Sequence, residues 1–341
     1  MAATPMPGDD GDARSLLLGL DRQERYLAKR AHKTLRLGSR RVPAERVLKT
    51  IRELRLLTLR AHGTPAFARE LAERFEVVIV SDNALVTAYH SPLIKISAHK
   101  TAEYNVPILG RPPDLVEKRG KVYRRIGGQL MTPPTRAQIM DGALNASALA
   151  VAWTDDPVTY YYTQIQGGAV AVYPDGRRKT LLYAGNNGHG YVSIEPEILR
   201  RVPVEQRPGG YLGLRDYLRR HPPEAEQYFR LNPRYIFFKL SNKPPMGMAG
   251  LPLTVKRSIA TDKRHYSAGL IGLLTYGEPV KLTDGSIKLK QVQRLICDCD
   301  TGAAIKGPDR VDIYFGEGSV RDLFAAGVKN HGTLSYLLIK N

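Results

Sequence analysis

Hydrophobic residues near the start of the chain recur at helical spacing. Between residues 43 and 57, Val47, Ile51 and Leu54 fall on one face of a predicted helix and arginines fall on the opposite face. A second helix is predicted to begin at Thr64-Pro65, because proline is favoured in the first helical turn and apolar residues follow four positions apart. Residues 77–80 are all β-branched and predict a strand. The chain therefore opens with helices that lead into β structure.

The pattern changes to β-type runs after residue 92. Strands are predicted where β-branched and aromatic residues cluster between proline and glycine turns, in the middle of the chain at residues 151–153, 158–165, 170–173 and 181–183. Residues 212–218 and 223–229 predict two short helices. From residue 251 the pattern is again of the β type to the C-terminus, and no fixed-period repeat is visible.

Four aspartates lie between residues 298 and 312, among glycines and apolar residues. Asp312 belongs to a strand-like run, and period-two alternation would place Asp312 and Tyr314 on one face. Loss of hydration in such a setting raises the pKa of a carboxyl group, which suits a general acid. The alternative is that Asp300 and Asp309 are turn residues and that Asp312 makes a structural hydrogen bond.

The charge balance favours a polyanionic partner. The net charge is +18, and basic residues far outnumber acidic ones between residues 21 and 60. Nucleic acid is disfavoured, because this basic stretch lacks interleaved aromatic residues and matches no reader motif. A solvated amphipathic helix face is the simpler local interpretation. At 341 residues, with 43% hydrophobic and 25% charged residues, the chain is long enough for two globular domains.

No metal or cofactor is predicted. The eight histidines show no ligand spacing, and two cysteines without neighbouring ligands are too few for a zinc site. We interpret Cys297 and Cys299 as small buried residues, because positions i and i+2 of a strand are poorly placed for a disulfide.

Nothing in the sequence predicts a membrane span or an export signal. No apolar run approaches the ~20 residues that cross a bilayer. The first ten residues are acidic and lack the basic and apolar regions of a signal peptide. For an exported protein, we would expect a signal to have been removed.

Several motifs occur in the same order as those of a known enzyme family. Asp300-Thr301-Gly302-Ala303-Ala304-Ile305-Lys306-Gly307, followed by residues 312–316, resembles the C-terminal signature of the membrane-bound lytic murein transglycosylase A family. The other matching motifs, in chain order, are Ala88-Tyr89-His90-Ser91-Pro92, residues 135–144, Gln164-Ile165-Gln166-Gly167, residues 183–189, residues 232–238 and residues 255–260. The first 80 residues carry no motif of this kind.

This resemblance implies a mainly β fold with some α structure. Its centre is a double-psi β-barrel, interrupted by an inserted domain. Residues 1–91 and 245–341 would form the catalytic barrel domain with a helical N-terminal part, and residues 92–244 would form a β-rich substrate-binding domain. The groove between the two domains would hold the glycan strand.

The resemblance also implies a reaction. Lytic transglycosylases cleave the β-1,4 bond between N-acetylmuramic acid and N-acetylglucosamine without water, because the muramyl C6 hydroxyl attacks its own anomeric carbon. A single acid that later acts as a base is then sufficient, whereas ordinary glycosidases need two carboxyl groups. Asp312 aligns with the family's catalytic acid. Asp300 is expected to support it, by hydrogen bonding or as a like charge that raises the pKa of Asp312.

The residues expected to line the substrate groove offer amides, aromatic rings, glycine backbone or a cation. They are Tyr89, Gln166, Gly167, Asn187, His189, Lys306 and Tyr314. For Asn187 and His189 the alternative is a purely structural role. The motifs depart from the family at His90, Ser91, Gly168, Ala169, Asn186 and Ala303. The alternative function is therefore a glycan-binding or scaffold homologue with weak or no turnover.

The partners and location follow from the same resemblance. We expect peptidoglycan glycan strands as the substrate, other cell-wall enzymes as candidate partners, and no nucleic acid or cofactor. The expected location is the periplasm, in association with the outer membrane through a lipid anchor if a signal peptide has been removed.

Overall fold

The computed structural model describes residues 7–284, 286–319, 325 and 327–340. Elements are numbered in chain order. The helices are α1 (Ala13–Ala28), α2 (Ala44–Ala61), α3 (Pro65–Arg74), α4 (Arg136–Met140), α5 (Ala146–Leu149), α6 (Pro157–Gln166), α7 (Glu195–Arg201), α8 (Gly210–Arg220) and α9 (Pro222–Arg230), with a short 3₁₀ turn at Val204–Gln206.

Strands run through most of the chain. They are β1 (Thr34–Leu37), β2 (Arg40–Pro43), β3 (Phe75–Ser91), β4 (Leu93–Lys95), β5 (Val106–Leu109), β6 (Leu115–Lys118), β7 (Lys121–Ile126), β8 (Gln129–Met131), β9 (Ala150–Thr154), β10 (Gly168–Val172), β11 (Arg178–Asn186), β12 (Ile236–Ser241), β13 (Ser258–Thr261), β14 (Ile271–Lys281), β15 (Ile287–Asp300), β16 (Arg310–Glu317) and β17 (Lys329–Ile339). The predicted mainly β fold with some α structure is confirmed.

The chain divides into two compact units. One unit comprises residues 7–90 and 246–316 together with the described residues from 325 onward, and the other comprises residues 91–245 together with residues 317–319. The predicted domain boundaries lie at residues 91/92 and 244/245.

Six strands of the first unit close a barrel, in the order β13-β15-β14-β17-β3-β16. The pair β13 and β15 is parallel, whereas β13 with β16, β14 with β15 and β17 with β3 are antiparallel. A closed six-stranded barrel is consistent with the predicted double-psi barrel. β3 is much longer than the strand predicted at residues 77–80, and its second half carries Thr87 and Tyr89 into the barrel wall.

The first three helices pack on the barrel through one continuous apolar core. Both predicted helices are confirmed: α2 buries Val47, Ile51 and Leu54, and α3 has Pro65 in its first turn and buries Phe67 and Leu71. The burial of one face and the solvation of the other follow from the spacing of the apolar residues.

A buried ion pair ties the N-terminal segment to the barrel. Arg257 is fully buried and donates to both carboxylate oxygens of Asp9, at 2.5 and 2.9 Å. Its remaining donors reach the Ser15 hydroxyl and the carbonyls of Leu295 and Asp12. Asp9 also accepts from the Leu295 N–H and lies 2.8 Å from His62 Nε2. The hydrogen-bonding capacity of both charged groups is therefore satisfied, as burial of charges requires.

The second unit mixes helices and strands. Its main sheet has the order β12-β11-β10-β4, and β6, β7 and β8 form a separate three-stranded sheet. Helices α6 to α9 share an aromatic core in which Tyr161 stacks on Phe229 with ring centroids 4.4 Å apart. The predicted helices at residues 212–218 and 223–229 are confirmed as α8 and α9.

One secondary-structure prediction was wrong. Residues 158–165 form the helix α6 rather than a strand. The Asp156 side chain caps the helix by accepting from the Thr159 N–H, Pro157 occupies the first turn, and Gly167 ends the helix at φ 81°. These start and stop signals outweigh the β propensity of the intervening tyrosines and threonines, which are buried on nearly all sides.

Two further predictions concern single features. Cys297 and Cys299 are free and buried, as expected. Among the helices formed by the described residues, none has the length and apolarity that crossing a bilayer requires.

Candidate active site

Ala260 on β13 lies between the two aspartates singled out from the sequence. Its partner on β15 is Asp300, and its partner on β16 is Asp312. Neighbouring strands are about 4.8 Å apart, so the two aspartate Cα atoms lie roughly 10 Å apart. Cross-strand partners project to the same face of a sheet, which brings the two carboxyl groups together across a small, buried alanine.

Asp312 is half-buried and accepts one short hydrogen bond. The Thr87 hydroxyl donates to its Oδ1 at 2.6 Å, and Arg310 Nη2 donates to the same hydroxyl at 2.7 Å. Burial raises the pKa of Asp312, and the negative charge of Asp300 adds to that rise. The Thr87 hydrogen bond and the charge of Arg310 oppose it without cancelling it. Asp312 is therefore suited to hold a proton that an ordinary aspartate would have released.

Asp300 is held in a much richer hydrogen-bonding environment. Its Oδ1 accepts from the N–H groups of Met248 (2.8 Å) and Thr301 (2.9 Å), and its Oδ2 accepts from the Tyr89 hydroxyl at 2.8 Å. Burial raises the pKa of Asp300 above its ordinary value, and these three donors and the charge of Lys263 oppose that rise without cancelling it. Three donors aimed at one carboxyl group favour its ionised form. The two supporting roles predicted for Asp300 were hydrogen bonding or a like charge beside Asp312, and its role in the reaction stays a prediction.

Two tyrosines form an apolar wall beside these carboxyl groups. The rings of Tyr89 and Tyr314 lie 5.2 Å apart at 51°, and both pack with Ala260 and Ile305. Burial, together with the charge of Asp300, raises the pKa of Tyr89 well above its ordinary value, so its hydroxyl stays protonated and remains a donor. Tyr314 lies on the same strand as Asp312 and packs with Tyr89, whereas Val311, Ile313 and Phe315 pack in the main barrel core, in agreement with the predicted alternation.

Of the predicted substrate-binding residues, Tyr89 and Tyr314 lie beside the two aspartates. Lys306 is exposed in the same unit. Gln166, Gly167, Asn187 and His189 belong to the second unit. Their participation in substrate binding stays a prediction.

The contacts of Asn187 favour a structural role. Its side-chain amide donates to the carbonyls of Pro134 and Pro233, both at 2.8 Å, and its carbonyl oxygen accepts from the Tyr235 N–H at 2.8 Å. Asn187 is also buried, with 1% of its surface exposed. An amide whose polar groups are occupied by backbone holds a loop in place.

The other three candidates in this unit differ in their contacts. His189 Nε2 lies 2.8 Å from the Pro133 carbonyl. Gln166 is the last residue of α6, and Gly167 provides its left-handed C-cap, a conformation that glycine adopts at low cost. The neighbouring Gln164 is buried and accepts from Arg136 at 2.6 Å, which links α6 to α4.

Sequence reasoning missed several residues of the site. Thr87 and Arg310 position Asp312, and the Met248 N–H and Lys263 act on Asp300. Thr87 could have been predicted from the sequence, because it lies two residues before Tyr89 and therefore on the same face of the strand. The other contacts depend on distant segments and leave no local signal. Within the described residues, no group of three or more His, Cys, Asp or Glu side chains is arranged to hold a metal ion.

Comparison with known proteins places this site in a family. The model described as the MltA specific insert domain matches residues 85–239, and the model described as the 3D domain matches residues 257–338. The chain belongs to the membrane-bound lytic murein transglycosylase A (MltA) family. Both aspartates lie within the part matched by the 3D domain, and Thr87 and Tyr89 lie within the part matched by the insert domain.

Individual relatives agree with this family membership. The chain is 29% identical over 262 residues to membrane-bound lytic murein transglycosylase A of Vibrio cholerae, across 76% of this chain and 66% of that protein. It therefore matches just under two thirds of the length of that curated relative. A crystal structure of a membrane-bound lytic murein transglycosylase from Agrobacterium tumefaciens has a TM-score of 0.78 and 28% identity, and covers 96% of this chain and 93% of that one.

A more distant neighbour shares the fold. Escherichia coli MltA with bound chitohexaose has a TM-score of 0.76 at 22% identity, and covers 100% of this chain and 94% of that one.

Proposed function

We propose that this protein is a peptidoglycan lytic transglycosylase, in which Asp312 is the single acid and base. The observation that carries the proposal is the difference between two neighbouring carboxyl groups. Asp312 accepts from Thr87 and has its pKa raised by burial and by a neighbouring charge, whereas Asp300 accepts from two N–H groups and a tyrosine hydroxyl. Two carboxyl groups whose environments differ in this way can hold one proton and one negative charge at the same time.

The proposed reaction balances without water. Asp312 donates its proton to the glycosidic oxygen, the bond from that oxygen to the muramyl C1 breaks, and N-acetylglucosamine leaves with a free 4-hydroxyl. The muramyl C6 oxygen bonds to C1 and gives its proton to the Asp312 carboxylate. The acid is thereby restored, and the glycan ends in a 1,6-anhydro ring. An intramolecular nucleophile removes the need for a second catalytic carboxyl group.

Asp300 is proposed to act by charge rather than by contact with the sugar. As an anion beside Asp312, it raises the pKa of the acid and would stabilise positive charge that develops at C1 in the transition state. Its own hydrogen bonds to Tyr89, Met248 and Thr301 hold it in place.

The substrate class follows from family membership and from charge. Peptidoglycan carries muramyl and peptide carboxylates, which suit a chain with a net charge of +18. We also propose the periplasmic, outer-membrane-associated location expected from the sequence, with other cell-wall enzymes as candidate partners. The inserted domain as the substrate-binding domain, and a shared groove for the glycan strand, belong to the same proposal.

Purified murein sacculi provide the test. Wild-type protein should release soluble muropeptides with 1,6-anhydro ends, and Asp312→Asn should release them at least ~100-fold more slowly, the lower end of the usual contribution of a general acid. Binding of Asp312→Asn to sacculi should persist. Release at the wild-type rate by folded Asp312→Asn would refute the assignment of the acid.

The second candidate, a glycan-binding homologue with weak or no turnover, is favoured by the altered motif Tyr89-His90-Ser91. Sedimentation of the wild-type protein with sacculi without any soluble product would support that candidate.

A further inference from the structure

Lys263 follows β13 and is anchored among buried groups that the proposed reaction does not use. Its ammonium contacts Asp298 Oδ1 and donates to the Thr261 hydroxyl at 2.9 Å. Asp298 has a fully buried side chain, and its Oδ2 accepts from Thr261 at 2.7 Å and from Tyr336 at 2.6 Å. The Lys263 side chain is itself only 18% exposed. A long, flexible side chain is thereby held in one place.

That place adjoins Asp300 through a short chain of contacts. Thr261 directly follows Ala260, the strand partner of both aspartates. The Thr301 hydroxyl donates to the Thr261 carbonyl at 3.0 Å, and the Thr301 N–H donates to Asp300 Oδ1 at 2.9 Å. The cation is thus fixed at the end of the strand that separates the two carboxyl groups.

We propose that Lys263 is a positioning residue that keeps Asp300 ionised, so that the proton shared by the two aspartates resides on Asp312. The inference rests on the proposed function and extends it to a residue outside the carboxyl pair.

The charges around the two carboxyl groups are distributed in agreement with this role. Asp300 accepts from the Tyr89 hydroxyl of β3 and interacts electrostatically with Asp312 on β16, with the neighbouring Cys299 on β15 and with Lys263. Of these groups, Lys263 alone favours the anion by its charge, and it opposes the rise in the pKa of Asp300 that burial causes. Asp312 has its own cation, Arg310, whose guanidinium is occupied by Thr87 and by the carbonyls of Leu85 and Val311.

The proposal makes a prediction about one limb of the pH–rate profile. Activity requires ionised Asp300 and protonated Asp312, so the acidic limb reports mainly the first group and the basic limb mainly the second. Lys263→Gln keeps a hydrogen-bond donor but removes the charge. The acidic limb should therefore move to higher pH, while the basic limb changes little. Lys263→Arg should preserve the wild-type profile.

Two further variants separate this role from simple pairing with Asp298. Asp298→Asn removes the anion that pairs with Lys263. The acidic limb should therefore stay in place or move to lower pH, whereas Lys263→Gln should move it to higher pH. In an Asp300→Asn background, which has no carboxyl group at position 300 to ionise, Lys263→Gln should leave the NMR titration of the Asp312 carboxyl group unchanged. Thermal melts of each variant would identify those that fail to fold.

A measurement without substrate keeps this inference separate from the proposed function. In the wild-type protein labelled with ¹³C at aspartate carboxyl groups, NMR spectra should show Asp300 titrating at a lower pH than Asp312. Lys263→Gln should reduce the difference between the two titration midpoints or reverse their order. If Lys263→Gln changes neither the titration midpoints of the two aspartates nor either limb of the pH–rate profile, the proposed role of Lys263 is wrong. A shift of the basic limb alone to higher pH would also contradict it. If the predicted NMR result is obtained but the protein releases no muropeptide, the role of Lys263 is supported and the proposed transglycosylase activity is refuted.

Discussion

The Thr87 hydroxyl donates a 2.6 Å hydrogen bond to Oδ1 of Asp312. Arg310 fixes that hydroxyl from the other side, at 2.7 Å. A donor of this kind orients the carboxyl group and limits the rise in its pKa, because it stabilises the ionised form. Position and proton affinity of the acid are therefore coupled through one threonine.

Thr87→Val removes the hydroxyl and keeps the shape of the side chain. The pKa of Asp312 should rise further, so the basic limb of the pH–rate profile should move to higher pH. The rate at the optimum should fall by about tenfold to a hundredfold, as expected for a displaced catalytic group. Steady-state rates on solubilised murein from pH 4 to pH 9 would measure both effects. Thr87→Ser retains the hydroxyl and should behave like the wild type; a similar loss in both variants would contradict this role.

Asp312→Asn should increase stability at neutral pH while it removes activity. The pKa of Asp312 is raised in the folded protein above the ~3.9 of an unfolded aspartate. The contribution of Asp312 to stability is therefore fully present below the unfolded pKa and is lost as the pH rises through the folded pKa. Urea unfolding should show Asp312→Asn to be more stable than the wild type at pH 7, with a smaller difference at pH 4. If Asp312→Asn is instead less stable than the wild type at pH 7, the ionised carboxylate of Asp312 is held by favourable contacts.

Tyr89→Phe should weaken the hold on Asp300 but keep the ring contact with Tyr314. The lost hydroxyl donates to a carboxyl oxygen at 2.8 Å, and hydrogen bonds to charged groups contribute roughly 1.5–3 kcal/mol. The free energy of unfolding at pH 7 should fall by about that amount. Tyr183→Phe is a suitable control, because Tyr183 is 47% exposed. Equal effects of the two substitutions would show that the contact of Tyr89 with Asp300 has no special weight.

Asp9→Ala should be strongly destabilising, although Asp9 lies far along the chain from the carboxyl pair. It leaves the fully buried Arg257 without its anion, a change that typically costs about 3–5 kcal/mol. Asp10→Ala is the matched control, since Asp10 is exposed and accepts from the Gln293 N–H at 2.7 Å. The double variant Asp9→Ala/Arg257→Met should recover part of the loss in urea unfolding. Additive losses would mean that the pair is not energetically coupled.

The helices and the candidate acid were predictable because their signals are local. Apolar spacing predicted α2, a threonine–proline start predicted α3, and alternation around Asp312 predicted its strand and the shared face with Tyr314. The strand prediction for residues 158–165 was wrong because aromatic and β-branched residues suit either a strand or a buried helix. The helix caps at Asp156 and Gly167 decide between the two.

The environment of the acid was not predictable from local patterns. The Met248 N–H and the Thr87 hydroxyl reach the two aspartates, and the charge of Lys263 acts on Asp300, only once the barrel has closed. For Asn187 the local motif matched the family, but the motif did not reveal that the side-chain amide is occupied by hydrogen bonds to backbone groups.

The source of the oxygen at the cleaved end tests the central claim most directly. Sacculi would be digested by the wild-type protein in water enriched in ¹⁸O, and the released muropeptides would be weighed by mass spectrometry. If the C6 hydroxyl is the nucleophile and Asp312 is the single acid and base, the products carry 1,6-anhydromuramic acid and contain no ¹⁸O. Reducing-end muramic acid labelled with one ¹⁸O would show that water is the nucleophile, and the single-acid mechanism would be wrong.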